Sequence, residues 1–231
     1  MRFFKIFILL FLALIACKTE EPNSVMNNPT KNLAQNSLKD NITKVVEVKS
    51  KTGRIWMDRN LGATRVAAMS TDTSAYGDLY QWGRGADQHQ LRKSLNTTTQ
   101  TTTDIPDNSN FILPSSPLTD WRNPQNINLW QGVNGINNPC PTGYRLPTET
   151  EWNIELSSWT SENADGAFTS PLKFTVAGSR EILINNVGIS GSYWSSTVSG
   201  EGSRYLNFSK AGSYTLTHNR VYGGSIRCIK D

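Results

Sequence analysis

The run from Pro139 to Trp152, Pro-Cys-Pro-Thr-Gly-Tyr-Arg-Leu-Pro-Thr-Glu-Thr-Glu-Trp, constrains the fold more than any other stretch of this chain. Thr148 followed by Glu151 is an S/T-x-x-E capping box, in which the hydroxyl takes an orphan helix N–H and the carboxylate reaches back to the cap. Pro147 fixes the backbone just ahead of that cap. Trp152, Leu156 and Trp159 follow at spacings of four and three, which puts one apolar stripe on a single helical face. The pattern predicts a short, well-capped core helix. Glu149 and Glu151 are accounted for by the helix N-terminus, where negative charge complements the macrodipole, so they need no catalytic role.

Ahead of this region, Arg2 and Lys5 precede an apolar run from Ile6 to Ala16 that falls short of the roughly 20 residues needed to cross a bilayer. Residues 1–16 read as a secretory signal peptide. Leu14-Ile15-Ala16-Cys17 resembles the lipobox of bacterial lipoproteins, which implies lipidation at Cys17. Each buried methylene of an acyl anchor contributes about 0.8 kcal/mol, and two chains hold where one does not. An ordinary signal peptide that happens to precede a cysteine is the alternative. Lys18-Thr19-Glu20-Glu21 is similar to the lysine-plus-acidic tags of some Bacteroidetes-type lipoproteins, which implies an outer-membrane protein displayed at the surface. The formal charge of +4 includes Arg2 and Lys5, which leave with the signal. Without a Lys/Arg run to follow a phosphate backbone, no nucleic-acid partner is expected.

Residues 17–44 are rich in Asn, Lys, Ser, Thr and Pro and read as a flexible tether. Residues 45–231 hold all seven tryptophans and form one domain. Val45–Val48 and Arg54–Met57 flank a turn at Ser50–Gly53 and predict a hairpin. Tyr76–Gly83 reads equally as helical turn or strand. Thr97–Thr103 predicts a low-complexity surface segment, and Asp104–Asn128 a long irregular loop of the kind that binds, covers a site or is disordered. Strands are expected at Leu172–Val176, Ile182–Ile184, Tyr193–Ser195, Arg204–Phe208, Thr215–Thr217 and Ser225–Ile229. Many short strands with one or two helices indicate an α+β domain.

Five segments then appear in order: Trp56–Ala63, Tyr76–Arg84, Cys140–Trp152, Gly191–Ser196 and Ser225–Asp231. Together they resemble the FISUMP domain (Fibrobacter succinogenes major paralogous domain) of exported bacterial proteins. The resemblance runs from about Arg54 to the C-terminus. Tyr144–Trp152 is also similar to formylglycine-generating and sulfatase-modifying proteins, which implies a C-type-lectin-like fold with short twisted sheets, long loops and paired termini. The resemblance further implies a covalent link between Cys140 and Cys228. With Cys17 lipidated, an exported chain retaining two cysteines favours the same bridge; two buried free thiols are the alternative.

The sulfatase-modifying activity would need a pair of cysteines in the C-terminal third, and only Cys228 lies there. His89 and His218 have no zinc-type spacing and read as surface or loop residues. No Gly-x-Ser-x-Gly elbow is present. Asp104 and Asp107 could offer oxygens to Ca²⁺, though a solvated loop explains them as well. No catalytic residue, metal or cofactor is therefore expected.

The function expected is a non-catalytic surface lipoprotein that presents a ligand-binding domain to a protein or glycan. Its segment Tyr193–Tyr222 has the Tyr-, Ser-, Gly- and Asn-rich composition of adaptable paratopes, although plain strand and turn composition accounts for it too. Similar endings occur in the variable proteins of diversity-generating retroelements. If Leu206 and Phe208 face the core, the period of two turns Tyr205, Asn207 and Ser209 outward. Tyr214, Asn219, Arg220 and Tyr222 are expected to share that exposed surface. An envelope enzyme with an unfamiliar site, or a purely structural envelope component, is the alternative.

Overall fold

A computed structural model describes residues 43–231. The segment read as a signal peptide, Cys17, and the part of the expected tether up to residue 42 lie outside the described residues. The strands are β1 (Glu47–Lys49), β2 (Ile55–Met57), β3 (Tyr80–Gln81), β4 (Asn96–Thr97), β5 (Phe111–Ile112) and β6 (Tyr144–Arg145). Two helices follow, α1 (Glu149–Ser157) and α2 (Ala164–Thr169). After them come β7 (Ser179–Arg180), β8 (Ile184–Asn185), β9 (Ser190–Ser199), β10 (Gly202–Ser209), β11 (Gly212–Asn219), β12 (Gly223–Gly224) and β13 (Ile229–Lys230). Small, mostly antiparallel sheets and two helices make this an α+β domain.

The predicted hairpin forms, with Val48 opposite Trp56 and Gly53 at φ +85° closing the turn. The last strand, β13, inserts between β2 and β6, so both ends of the domain share one sheet of order β1-β2-β13-β6. Beside that sheet Cys140 and Cys228 are bridged, with their Cα atoms 5.9 Å apart. The bridge closes 88 residues, for which chain entropy gives roughly 4 to 5 kcal/mol of stabilisation.

Helix α1 begins as its sequence dictates. Glu151 N–H donates to Thr148 Oγ1 at 3.2 Å, and Thr148 N–H donates to Glu151 Oε2 at 2.9 Å. Arg145 grips the same carboxylate through two bonds of 2.8 Å and reaches Asp231 at 2.7 Å, which ties helix, β6 and C-terminus together. The helical stripe, however, ends early. Ser158 is the C-cap, so Trp159 enters the core from a tight turn, its N–H on Leu156 O, rather than from the helix face. Leu156 is only half-buried, while Glu155 is fully buried.

All seven tryptophans are buried. Trp56, Trp152, Trp159, Phe174, Tyr193, Leu206 and Phe208 form one core cluster under the helices. Trp82, Trp121, Trp130, Trp194 and Cys228 belong to a second. The long segment after Asp104 is irregular apart from the short strand β5, and it supplies Phe111, Ile112, Trp121 and Trp130 to the interior. Side chains satisfy part of its backbone: Gln81 Nε2 donates to Ile112 O, and Gln81 Oε1 accepts from Ile112 N–H. Asp104, weighed as a calcium ligand, instead pairs with Arg122 at 2.9 Å and accepts from Asn126.

Leu172–Val176 is largely buried but is no strand: Leu172 lies in a turn, Lys173 takes φ +52°, and the donors go to scattered partners. Phe174 N–H bonds Ala167 O, Thr175 N–H bonds the Tyr193 hydroxyl, and Val176 N–H bonds Ser70 O. Ser225–Cys228 behaves likewise, pairing with Trp194, Leu61 and Met57, so that only Ile229–Lys230 is strand.

Candidate ligand-binding surface

The sheet of order β11-β10-β9 has two unlike faces, set by strict alternation along β10. Leu206 and Phe208 point inward with Tyr193 of β9, toward α1 and α2. Tyr205, Asn207 and Ser209 point the other way, as the period of two predicts. Register places Tyr205 between Trp194 and Leu216, and Asn207 between Ser192 and Tyr214. Directly opposed residues share a face, so Trp194, Tyr205, Asn207, Tyr214, Leu216 and His218 stand on one outer surface.

A ladder of rings crosses this surface. Trp194 and Tyr205 centroids are 5.8 Å apart, Tyr205 and His218 5.2 Å, and His218 and Tyr222 4.5 Å. Its inner end is anchored: Trp194 Nε1 donates to Tyr80 O at 2.8 Å, and Tyr205 packs on the second core cluster. Beside the ladder the surface is open, with Tyr214 at 50 % and Leu216 at 43 % exposure. His218 Nδ1 accepts the Asn219 N–H at 3.0 Å, which leaves the proton of the neutral ring on Nε2. Burial lowers the His218 pKa against the opposing charge of Glu181, so the ring is neutral at pH 7. Burial raises the hydroxyls of Tyr205 and Tyr222. Asn207 Nδ2 donates to Ser192 Oγ at 2.9 Å, which fixes the amide across the strands.

Three of the expected recognition residues have structural partners instead. Arg220 is fully buried, a correction to its expected exposure. Its guanidinium donates to Ser203 Oγ and Gly202 O at 3.0 Å each, lies 3.6 Å from Asp120 and sits 4.7 Å over the Trp82 ring. The apolar ring and the carbonyls offset the cost of burying its charge. Asn219 follows the parity of Thr217, not that of His218, and its amide holds Leu118 O at 2.9 Å. Ser209 Oγ accepts the Ala211 N–H and shapes the two-residue turn.

His89 also departs from expectation, being fully buried. Its Nε2 accepts Gln81 N–H at 3.0 Å, so Nδ1 carries the proton toward Asp87 Oδ1 at 2.6 Å. Burial lowers its pKa to about 4. His218, expected only at the surface or in a loop, and Leu216, which carried no expectation as a surface residue, both join the outer surface. The signal that would have found them is the β10–β11 register, which the Lys210-Ala211 turn sets.

Beyond Tyr222, Leu113, Pro114, Leu118 and Ile182 line a groove of about 530 Å³ that carries no carboxylate. Leu118 and Tyr222 pack on the same Phe111–Leu113–Val221 cluster, which joins the groove to the ring ladder. Among the described residues, no three His, Cys, Asp or Glu side chains converge as a metal site requires. No family model, no curated protein and no solved structure matches this chain.

Proposed function

We propose that this chain is a non-catalytic lipoprotein of a bacterial outer membrane, lipidated at Cys17 and displayed at the cell surface. Its C-type-lectin-like domain binds a protein or glycan through the outer face of the β9–β11 sheet. The observation that carries this reading is the half-exposed pair Tyr214 and Leu216, held on a rigid sheet beside the Tyr205–His218–Tyr222 ladder. Large rings with few rotatable bonds give contact area at low entropic cost, and Asn207 adds an oriented amide. The resemblance to FISUMP proteins, the lipobox-like Leu14–Cys17 and the union of both domain ends in one sheet support the same reading.

The test is a glycan and surface-protein binding screen with residues 45–231, repeated with Asn207→Ala and Tyr214→Ala. Binding that both substitutions weaken, in a domain that stays folded, supports the surface named here; binding that neither affects puts the ligand elsewhere. Mass spectrometry of the mature N-terminus checks the anchor, since an unmodified start after Cys17 contradicts it. A sharper form makes Tyr193–Tyr222 the variable region of a retroelement target. Neighbouring DNA with a reverse transcriptase and a template repeat is its requirement.

A further inference from the structure

Strand β11 is the outer member of its three-stranded sheet and runs for eight residues. Ser209 and Gly212 flank a two-residue turn and are the first hydrogen-bonded pair of the hairpin. Alternation from that pair directs the backbone groups of Tyr214, Leu216 and His218 to β10, and those of Ser213, Thr215 and Thr217 to the free edge. Among the described residues only Thr215 O meets a partner along that edge, Arg204 Nη2 at 3.2 Å, and a carbonyl has a second lone pair to offer. Natural sheets protect such edges with charges, proline, bulges or a covering element. The sequence of β11, Gly-Ser-Tyr-Thr-Leu-Thr-His-Asn, holds no Lys, Arg, Asp, Glu or Pro, and its register with β10 is unbroken.

We propose that this edge is a self-association surface, where a second copy of the chain pairs antiparallel with β11 about a two-fold axis at Thr215. The strand is complementary to itself in that register. Thr215 meets Thr215 as a hydrogen-bonded pair, and Ser213 meets Thr217. Tyr214 of each copy meets Leu216 of the other at closely spaced positions, an aromatic–aliphatic cross-strand pair formed twice. Those two side chains are the exposed apolar residues of the strand, at 50 % and 43 %. No like charges are opposed, because the strand has none. Arg204, which lies near the axis, is already paired with Glu149 at 2.7 Å. The interface is isologous, so it closes at two copies instead of growing into a fibre. It also joins the two outer faces into one continuous surface.

The test uses the full chain with Cys17→Ser, so that no other free thiol competes. In Thr215→Cys the opposed Cα atoms would lie about 5.5 Å apart, within disulfide range. Mild oxidation should give a covalent dimer. Ser213→Cys should give none alone, since its symmetry mate lies roughly 13 Å along the strand, but should couple to Thr217→Cys when the two are mixed. Thr217→Pro removes an edge-facing N–H and no β10 bond, and should weaken dimerisation in sedimentation equilibrium about tenfold or more. A monomer at every concentration, or equal cross-linking of Thr215→Cys and Ser213→Cys alone, overturns the proposal. So does a Thr217→Pro chain with native circular dichroism that dimerises unchanged; if that variant is misfolded, the cross-linking pattern decides.

Discussion

The two faces of the β9–β11 sheet are built from the same strands and differ in what lies against them. On the inner face Phe208 stacks with Tyr193 at 5.6 Å and meets Trp159 edge-on at 5.6 Å, all under α1 and α2. On the outer face the rings are spaced similarly, yet no helix among the described residues covers them, and exposure rises from Trp194 through Tyr205 to Tyr214. The inner face is therefore a close-packed interior in which each methylene counts. The outer face is graded, anchored at one side and free at the other. Aromatic residues alone do not distinguish core from recognition surface; the element packed over them does.

The largest effect should come from the inner face. Phe208→Ala removes a fully buried ring and should cost about 3–5 kcal/mol in denaturant titration. A loss below about 1 kcal/mol would make the two faces alike and break the comparison. Tyr205→Ala probes the middle of the gradient. Its ring packs on Trp194 and the core beneath, so about 1–3 kcal/mol should be lost, contrary to the stability-neutral role that alternation alone suggests.

Glu155 sharpens the comparison through pH. It sits fully buried on the inner side of α1, and among the described residues neither carboxylate oxygen has a partner at hydrogen-bond geometry. Burial raises its pKa above 4.5, with Ser50 and Trp159 pulling the other way. The folded state thus holds this proton to higher pH than the unfolded chain does. That contribution to stability is present in acid and is lost as pH rises through 4.5 toward the raised value. Glu155→Gln should melt above wild type at pH 7, and the gap should close below pH 4.5. Thermal melts across that range check it, and a constant gap would show that charge is not the cause. The smallest stability effect belongs to the open end of the outer face. Tyr214→Ala should shift stability by less than about 0.5 kcal/mol while binding falls. A large loss of stability with binding intact would move Tyr214 into the core.

Much of this was legible in the sequence because it is local. The capping box, the first hairpin and the alternation of Arg204–Phe208 each depend on residues a few positions apart, and each is present as read. The Cys140–Cys228 bridge was expected from the family resemblance, the scarcity of cysteine and an N-terminus that reads as an export signal, and the two residues are bridged. The outer surface was legible only in part: Tyr205, Asn207 and Tyr214 stand on it, Tyr222 borders it, and the places of Leu216 and of His218, expected only at the surface or in a loop, needed the β10–β11 register.

What the tertiary structure alone decided concerns partners distant in sequence. Arg220 is buried because Asp120, Ser203 and the Trp82 ring converge on it, and no local pattern announces that convergence. His89 became a buried acceptor for the Gln81 N–H, and Asn219 a clasp on Leu118, for the same reason. Leu172–Val176 has strand-like composition but no neighbouring strand to take its donors, so it stays irregular. Trp159 lies beyond a helix whose end was set by the Ser158 cap, and reaches the core all the same. Periodicity reports which face a residue takes. It does not report what the rest of the chain brings to that face, and this decides whether an arginine or a tyrosine meets water or the interior.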